Sequence, residues 1–293
     1  MKHKIISLFY LLIFNPLSAF DFDTLSYYQK FDIAVEYYKQ GRYELSKKQF
    51  KNILVKEKSH GDPSAQLMIA KSNYRLGNHE EAIILAMSMI RQFQESPYHS
   101  DALILLGDIS LSQGKPTDAF INYLKARPYI EDVLYLNNID ERIYKCIGMG
   151  LNIETLEKIL FKEKNYFNRA IINLSRAYHA WINGKGYDLE VIMNDIDTFH
   201  LPGYFSGIFG NLNDSKVNNL EKTLTIAVVL PISGFEKEKG QAYLLGLFEY
   251  FSLRDNSAAL RFLVYDTKGS PSQVLQIIEK LQANANIICS LGP

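Results

Sequence analysis

The stretch TLTIAVVLPISGFEKEKGQAYLLGLFEYF, residues 223–251, decides the fold class of this protein. Its beginning, TIAVVLPI, is rich in β-branched residues and apolar on both faces, which predicts a central parallel strand covered by helices on each side. The part from Gly240 onwards predicts a helix, with Ala242, Leu245 and Phe248 at spacings of three. Because the preceding two hundred residues indicate only helices, the fold changes at this stretch.

The alternation of strand and helix continues after this stretch. LRFLVYDT predicts a second strand and ANIICSLGP a third. The helix between them begins with Ser270 as N-cap and Pro271 in the first turn. Four apolar residues form its core face: Val274, Ile277, Ile278 and Leu281. Such an order predicts a doubly wound parallel sheet with right-handed crossovers.

The helical part contains an internal repeat, in which Gly41, Gly77 and Gly114 recur at intervals of 36 and 37 residues. A glycine with positive φ ends the first helix of a pair. Five residues after each glycine comes a small residue that lets the two helices approach each other: Ser46, Ala82 and Ala119. Nine residues after each glycine comes a residue that packs towards the next repeat: Phe50, Ala86 and Tyr123. Each pair leaves an apolar face uncovered, so the pairs must stack into a solenoid.

These residues resemble the tetratricopeptide repeat over about 27–127, with a non-repetitive helical bundle as the alternative. Weaker helical periodicity continues to about residue 200, where Gly184 or Gly186 marks a further pair. We therefore predict a helical-repeat domain over 23–202 and a linker over 203–222, which is rich in Gly, Asn and Ser. The resemblance implies a groove that binds proteins. Lys71 and Asp108 are candidates for that groove, although ordinary solvated charges are the simpler interpretation of both.

The N-terminus has the pattern of an export signal. MKHK is a basic start, IISLFYLLIF is an apolar stretch, and Ala19 is a small residue suited to cleavage. Ten apolar residues span about 15 Å as a helix, half of a hydrocarbon core of roughly 30 Å. We therefore predict a signal peptide over 1–19 and no transmembrane segment after cleavage, with a buried N-terminal helix as the alternative. No cysteine follows the apolar stretch, which disfavours a lipid anchor.

Composition restricts the function. The chain has 293 residues, with 32 basic and 32 acidic side chains, so no overall charge favours nucleic acid. The six histidines are scattered, and we expect no metal site and no cofactor. Cys146 and Cys289 are expected to be buried, unpaired thiols. No nucleophile elbow or phosphate loop is recognisable, so we do not expect an enzyme.

The C-terminal segments VVLPISG, KGQAYLLG, VYDTKGSPSQ and SLGP resemble the start of the type I periplasmic binding proteins, the leucine/isoleucine/valine-binding family. The resemblance implies an incomplete lobe over 223–293 in a periplasmic protein. Ligands of open parallel sheets bind beyond the carboxyl ends of the strands. The candidate residues there are Ser233, Gly234, Lys239, Asp266 and Thr267. Lys239 stands where the family often has an aromatic residue, which disfavours a leucine-like ligand, and Asp266 could instead cap a turn.

The sequence therefore predicts a multidomain protein: an all-α, tetratricopeptide-like solenoid followed by the truncated start of an α/β binding-protein lobe. This combination resembles the periplasmic activators of penicillin-binding proteins, which are non-enzymatic scaffolds with envelope proteins as partners. The alternative is a receptor that delivers an amino acid or a similar small molecule to an ABC transporter. Since three strands cannot close a lobe, we expect a piece of a longer protein. A polypeptide with these ends should aggregate unless residues after about Asn219 are removed.

Overall fold

The structure is a computed structural model that describes residues 25–56, 62–217, 224–253, 260–284 and 287–292. The predicted signal peptide, residues 1–19, lies outside the described residues. The chain divides into two compact units, Met1–Met89 and Ile90–Pro293. The α/β segment thus belongs to the same compact unit as the later helices, which the sequence did not indicate.

The described residues before the sheet are helical, as predicted. Five consecutive helix pairs are followed by one further helix, α11 (Ser206–Val217). The pairs are α1 (Tyr27–Lys39) with α2 (Tyr43–Lys56), α3 (Pro63–Arg75) with α4 (His79–Gln92), α5 (His99–Ser112) with α6 (Pro116–Ala126), α7 (Val133–Gly148) with α8 (Ile153–Lys162), and α9 (Tyr166–Ile182) with α10 (Gly186–Asn194).

The glycine repeat has the predicted conformation. Gly41, Gly77 and Gly114 have φ of 75°, 80° and 63°. Gly150 and Gly184 continue the series with φ of 90° and 74°, so the turn of the fifth pair is at Gly184 and not at Gly186. All six packing residues predicted from the repeat are fully buried: Ser46, Phe50, Ala82, Ala86, Ala119 and Tyr123.

The contacts between paired helices explain why the repeat has small residues at some positions and an aromatic residue at others. Ser46 on α2 is small enough to approach α1, and its Oγ donates a hydrogen bond to the carbonyl of Ala34 at 2.8 Å. In the third pair the ring of Tyr123 lies against Gly107, where an added Cβ would be 2.3 Å from the ring. A side chain at that glycine would therefore separate α5 from α6.

The C-terminal part forms the predicted three-stranded parallel sheet. The strands are β1 (Leu224–Leu230), β2 (Leu260–Asp266) and β3 (Ile287–Leu291), in the order β2-β1-β3. Helix α12 (Lys237–Leu253) connects β1 to β2, and α13 (Pro271–Gln282) connects β2 to β3. Ala227 and Val228 of the central strand are fully buried, as expected for a strand that is apolar on both faces.

Some details of the two crossover helices differ from the prediction. Helix α12 buries Leu244, Phe248 and Phe251, whereas Ala242 is exposed because the helical pairs cover a different stripe of its surface. On α13, Ile277 is buried, while Ile278 is 42% exposed. The position of the Ser270 N-cap is confirmed, but its hydroxyl contacts Ser272 Oγ at 2.9 Å instead of capping the helix.

The prediction of a linker is wrong for residues 203–217. A short 3-10 turn (Gly203–Phe205) leads into α11, and Phe205, Ile208 and Leu212 are buried. Asn211 Nδ2 donates a hydrogen bond to the carbonyl of Phe251 at 2.6 Å. The Gly- and Asn-rich composition suggested a loop, but the three apolar side chains pack this segment against its neighbours. Residues 218–223 lie outside the described part.

An aromatic cluster joins the helical pairs to the α/β segment. Trp181 on α9 stacks on Phe251 of α12 with ring centroids 4.1 Å apart. Tyr144 and Tyr178 contact Phe248 at 4.5 and 4.7 Å. Six aromatic rings take part in this junction: Tyr144, Tyr178, Trp181, Phe248, Phe251 and Phe262. Trp181 is thus a packing residue of this junction.

The two cysteines differ in environment. Both are free thiols. Cys146 is buried, as predicted, and burial raises the pKa of its thiol above the ordinary value. Cys289 is exposed, so the prediction that it is buried is wrong. It lies on an edge strand that pairs only with β1 in the described residues.

Candidate functional site

The carboxyl ends of β1 and β2 are joined by Asp266, which the sequence singled out. Its carboxylate accepts hydrogen bonds from the backbone N–H groups of Ile232 at 2.9 Å, Ser233 at 3.1 Å and Lys268 at 2.9 Å. A fourth comes from Ser233 Oγ at 2.6 Å. Burial alone would raise the pKa of Asp266, but these hydrogen bonds outweigh it and lower the pKa below its usual value. The ionised carboxylate therefore fixes the loop after β1 to the turn after β2.

Two other predicted residues belong to the same contact between loops. Gly234 has φ of 85°, and a Cβ there would be 2.3 Å from the carbonyl oxygen of Lys268. Thr267 is 2% exposed, and its backbone N–H donates to the carbonyl of Leu230 at 2.8 Å. The structure therefore brings Ser233, Gly234, Asp266 and Thr267 together, and the polar groups of Ser233, Asp266 and Thr267 are hydrogen-bonded within the two loops and the adjoining strand ends.

Lys239 does not take part in this arrangement. Its ammonium group pairs with Glu236 at 3.2 Å within the same turn of chain, and its side chain is 79% exposed. The helix begins at Lys237, three residues earlier than Gly240, from which we predicted it. That shift places the Lys239 side chain on the solvent side of α12.

A cleft of about 500 Å³ lies next to this pair of loops, within the Ile90–Pro293 unit. One wall consists of the turns that follow the first helices of two consecutive pairs, at Gly114 and Gly150, and of the end of α9. The other wall comes from the α/β segment, with Ile232, Gln241 and Leu244 among its residues. The glycine turns of the repeat thus face the strand ends.

Two polar residues of α12 in and beside this cleft were not predicted. Lys237 Nζ donates to the backbone carbonyl of Gln113 at 3.0 Å. Gln241 is 4% exposed; its Nε2 donates to the carbonyl of Ile232 at 3.4 Å, and its Oε1 has no hydrogen-bond partner in the described part of the chain. Gln113 lies more than a hundred residues before Lys237, and no local pattern in the sequence signals such a contact.

His179, at the end of α9, also lines the cleft. Burial first, and then the nearby Lys185 ammonium, lower the pKa of its imidazole, so the ring is neutral at pH 7. In the residues that the structure describes, no group of three or more His, Cys, Asp or Glu side chains is placed to hold a metal ion.

Polar side chains on the first helices of the third and fourth pairs form a network. Asp108 on α5 accepts a hydrogen bond from Tyr123 Oη at 2.8 Å and forms an ion pair with Arg142 of α7. Tyr135 Oη donates to Asp101 at 3.4 Å, and burial, followed by that carboxylate, raises the pKa of Tyr135 to about 12. Asp108 therefore connects two helices of the repeat and is neither an isolated solvated charge nor a free groove residue.

The part of the chain that the structure describes contains no helix with the length and hydrophobicity required to cross a membrane.

Lys71, the other predicted groove residue, is partly buried on α3.

Comparison with known proteins gives one family match. The family model for the tetratricopeptide repeat matches residues 31–99. No curated protein matches the chain. The chain is similar to LpoA from Haemophilus influenzae in a monoclinic crystal form, with 17% identity and a TM-score of 0.43. It is also similar to a structure of full-length LpoA from the same organism, with 16% identity and a TM-score of 0.41. Both alignments cover 90% of this chain and 47% of LpoA, so the chain spans about half the length of these proteins.

Proposed function

We propose that this protein is a non-enzymatic scaffold of the periplasm that binds another envelope protein through its helical repeats. The observation that carries the proposal is the tetratricopeptide match over residues 31–99, together with helix pairs whose glycine turns have the expected conformation. Stacked helix pairs of this kind offer an extended surface for a protein partner.

We propose further that the partner is a cell-wall synthase of the penicillin-binding-protein class. Support comes from the sequence, in which helical repeats precede segments that resemble a type I periplasmic binding protein. Such a scaffold stimulates its partner through contact and carries out no chemistry of its own.

The partner is proposed to contact the first helices of the matched repeats, where Lys71 lies on α3. A charge reversal on that face should weaken binding. Lys51→Glu is the control, because it makes the same charge change at an exposed position. Lys51 lies on α2, the second helix of its pair, in the same compact unit as Lys71.

The experiment measures binding of the full chain to purified penicillin-binding proteins and the rate at which those enzymes polymerise glycan strands. We expect saturable binding and a faster rate. Lys71→Glu should weaken binding by about fivefold, a typical effect of one interfacial charge contact, while Lys51→Glu should leave it unchanged. Absence of both binding and stimulation across the panel would refute the proposed partner class.

A receptor for amino acids has less support. At the strand ends, the Asp266 carboxylate already accepts four hydrogen bonds from within the chain, and Lys239 pairs with Glu236. Thermal-shift measurements of the full chain against the common amino acids would test this alternative. A large shift with one amino acid would favour the receptor over the scaffold.

A further inference from the structure

The cleft between the glycine turns and the strand ends has a mixed lining. Apolar side chains of Ile182, Ile232 and Leu244 form part of its walls. Its volume of about 500 Å³ lies within the range of roughly 300–1,000 Å³ that is usual for sites of small molecules. The cleft is therefore large enough for a ligand that combines a short apolar chain with one polar group.

The basic side chains beside this cleft are already engaged with Gln113. Lys115 Nζ donates to its side-chain Oε1 at 2.9 Å, and Lys237 Nζ donates to its backbone carbonyl at 3.0 Å. His179 is neutral at pH 7. Both lysines are therefore held by hydrogen bonds to uncharged oxygens of Gln113.

Two acceptors in and beside the cleft have no donor in the described residues. Gln241 Oε1 is buried without a partner in the described residues, and the hydrogen bond from Nε2 to Ile232 fixes the orientation of the amide. A buried acceptor without a donor costs free energy that a ligand with an N–H group would recover. The carboxylate of Asp118, an exposed residue, also lines the cleft, and no hydrogen bond or ion pair engages it within the described chain.

We propose that this cleft binds a small aliphatic primary amine in its protonated form. The ammonium group donates a hydrogen bond to Gln241 Oε1, Asp118 supplies the compensating negative charge, and the alkyl chain lies against Ile182 and Leu244. This site is separate from the surface proposed for a protein partner, and neither proposal depends on the other.

The test is a titration of the full chain by calorimetry and NMR with three probes that each contain a five-carbon chain. Pentylamine should bind. Pentyltrimethylammonium, which has the charge but no N–H donor, should bind about tenfold more weakly, the value of one hydrogen bond to a charged group. Pentanoate should not bind. Equal affinity for pentylamine and pentyltrimethylammonium would overturn the role of the Gln241 acceptor, and absence of saturable pentylamine binding would overturn the site.

Variants of Gln241 and Asp118 test whether pentylamine binds in this cleft. Gln241→Met removes the acceptor at similar volume and should weaken pentylamine binding about tenfold, while Gln276→Met at an exposed position of α13 should have no effect. Since Gln241 is buried and its replacement could impair folding, Asp118→Asn in the exposed first turn of α6 provides a second variant. It should weaken binding about threefold. Unchanged affinity in a folded Gln241→Met variant, or in Asp118→Asn, would refute the placement.

Discussion

At the scale of single residues, the Asp266 carboxylate holds the two strand-end loops together. Its pKa is lowered in the folded protein, so the ionised form stabilises the fold at pH values above the ordinary aspartate pKa of about 4. This contribution is lost as the pH falls through the lower pKa of the folded state.

Asp266→Asn should therefore lower the free energy of unfolding by about 1–3 kcal/mol at pH 7, since an amide cannot satisfy the same four donors. The loss should become smaller as the pH is lowered below about 4. Urea unfolding at pH 7 and pH 3 measures both values. Asp32→Asn, at an exposed position of α1, is the control, and a loss that is equal at both pH values would contradict the mechanism.

A second residue-scale prediction concerns the buried ion pair of Arg127 with Asp140. Two hydrogen bonds of 2.8 and 3.1 Å join them, and their side chains are 8% and 2% exposed. Asp140→Leu leaves a buried guanidinium without its carboxylate and should cost about 3–5 kcal/mol. The double variant Arg127→Met/Asp140→Leu should be clearly more stable than Asp140→Leu alone. Urea unfolding of the wild type, Arg127→Met, Asp140→Leu and the double variant tests this, and additive losses would contradict it.

At the scale of elements, the contact between α7 and α12 depends on the absence of a side chain at Gly148. A Cβ there would be 2.6 Å from Phe248 and 2.7 Å from Leu245. Phe248 is fully buried and has little room to move, so the two helices could not keep their present distance.

Gly148→Ala should therefore destabilise the protein by about 1–3 kcal/mol, although alanine is the better helix former. Gly246→Ala on α12 is the matched control, because nothing lies within 4 Å of its Cβ position. That control should stabilise by about 0.5–1 kcal/mol. Thermal unfolding compares the two variants, and a stabilising Gly148→Ala would mean that α12 can move away from α7 at little cost.

At the scale of the whole molecule, the aromatic cluster makes the α/β segment part of the Ile90–Pro293 unit. Trp181 is the only tryptophan of the chain and lies in this junction, so its fluorescence reports on the contact. We expect the loss of Trp181 fluorescence in urea to coincide with a loss of far-UV circular dichroism. A fluorescence change at lower urea concentration, with the helical signal intact, would show that the α/β segment separates first.

The same junction changes the expectation for truncation. From the sequence alone, removal of residues after about Asn219 should improve solubility. The structure leads to the opposite prediction, because this truncation would uncover Tyr144, Tyr178 and Trp181 on α7 and α9. The truncated protein should therefore scatter more light on warming than the full chain at the same concentration. Less scattering from the truncated protein would support the original expectation.

Local patterns in the sequence were sufficient for the helix pairs and the parallel sheet. The positive φ of Gly114 and the central position of β1 follow from residue type and from hydrophobicity within a few residues, and both are confirmed. Apolar packing residues such as Tyr123 follow from the repeat for the same reason, since each pair must cover its neighbour.

Only the tertiary structure decided what the α/β segment packs against. The helix at 206–217, the contact of Lys237 with Gln113 and the unpartnered Gln241 in the cleft all depend on residues that are distant along the chain. Helix and strand periodicity record which face of an element is buried, but not which element covers that face. For this reason the sequence determined the helix pairs, the strands and their order, while the helix at 206–217 and the position of the cleft became visible only once the helical pairs and the sheet were packed together.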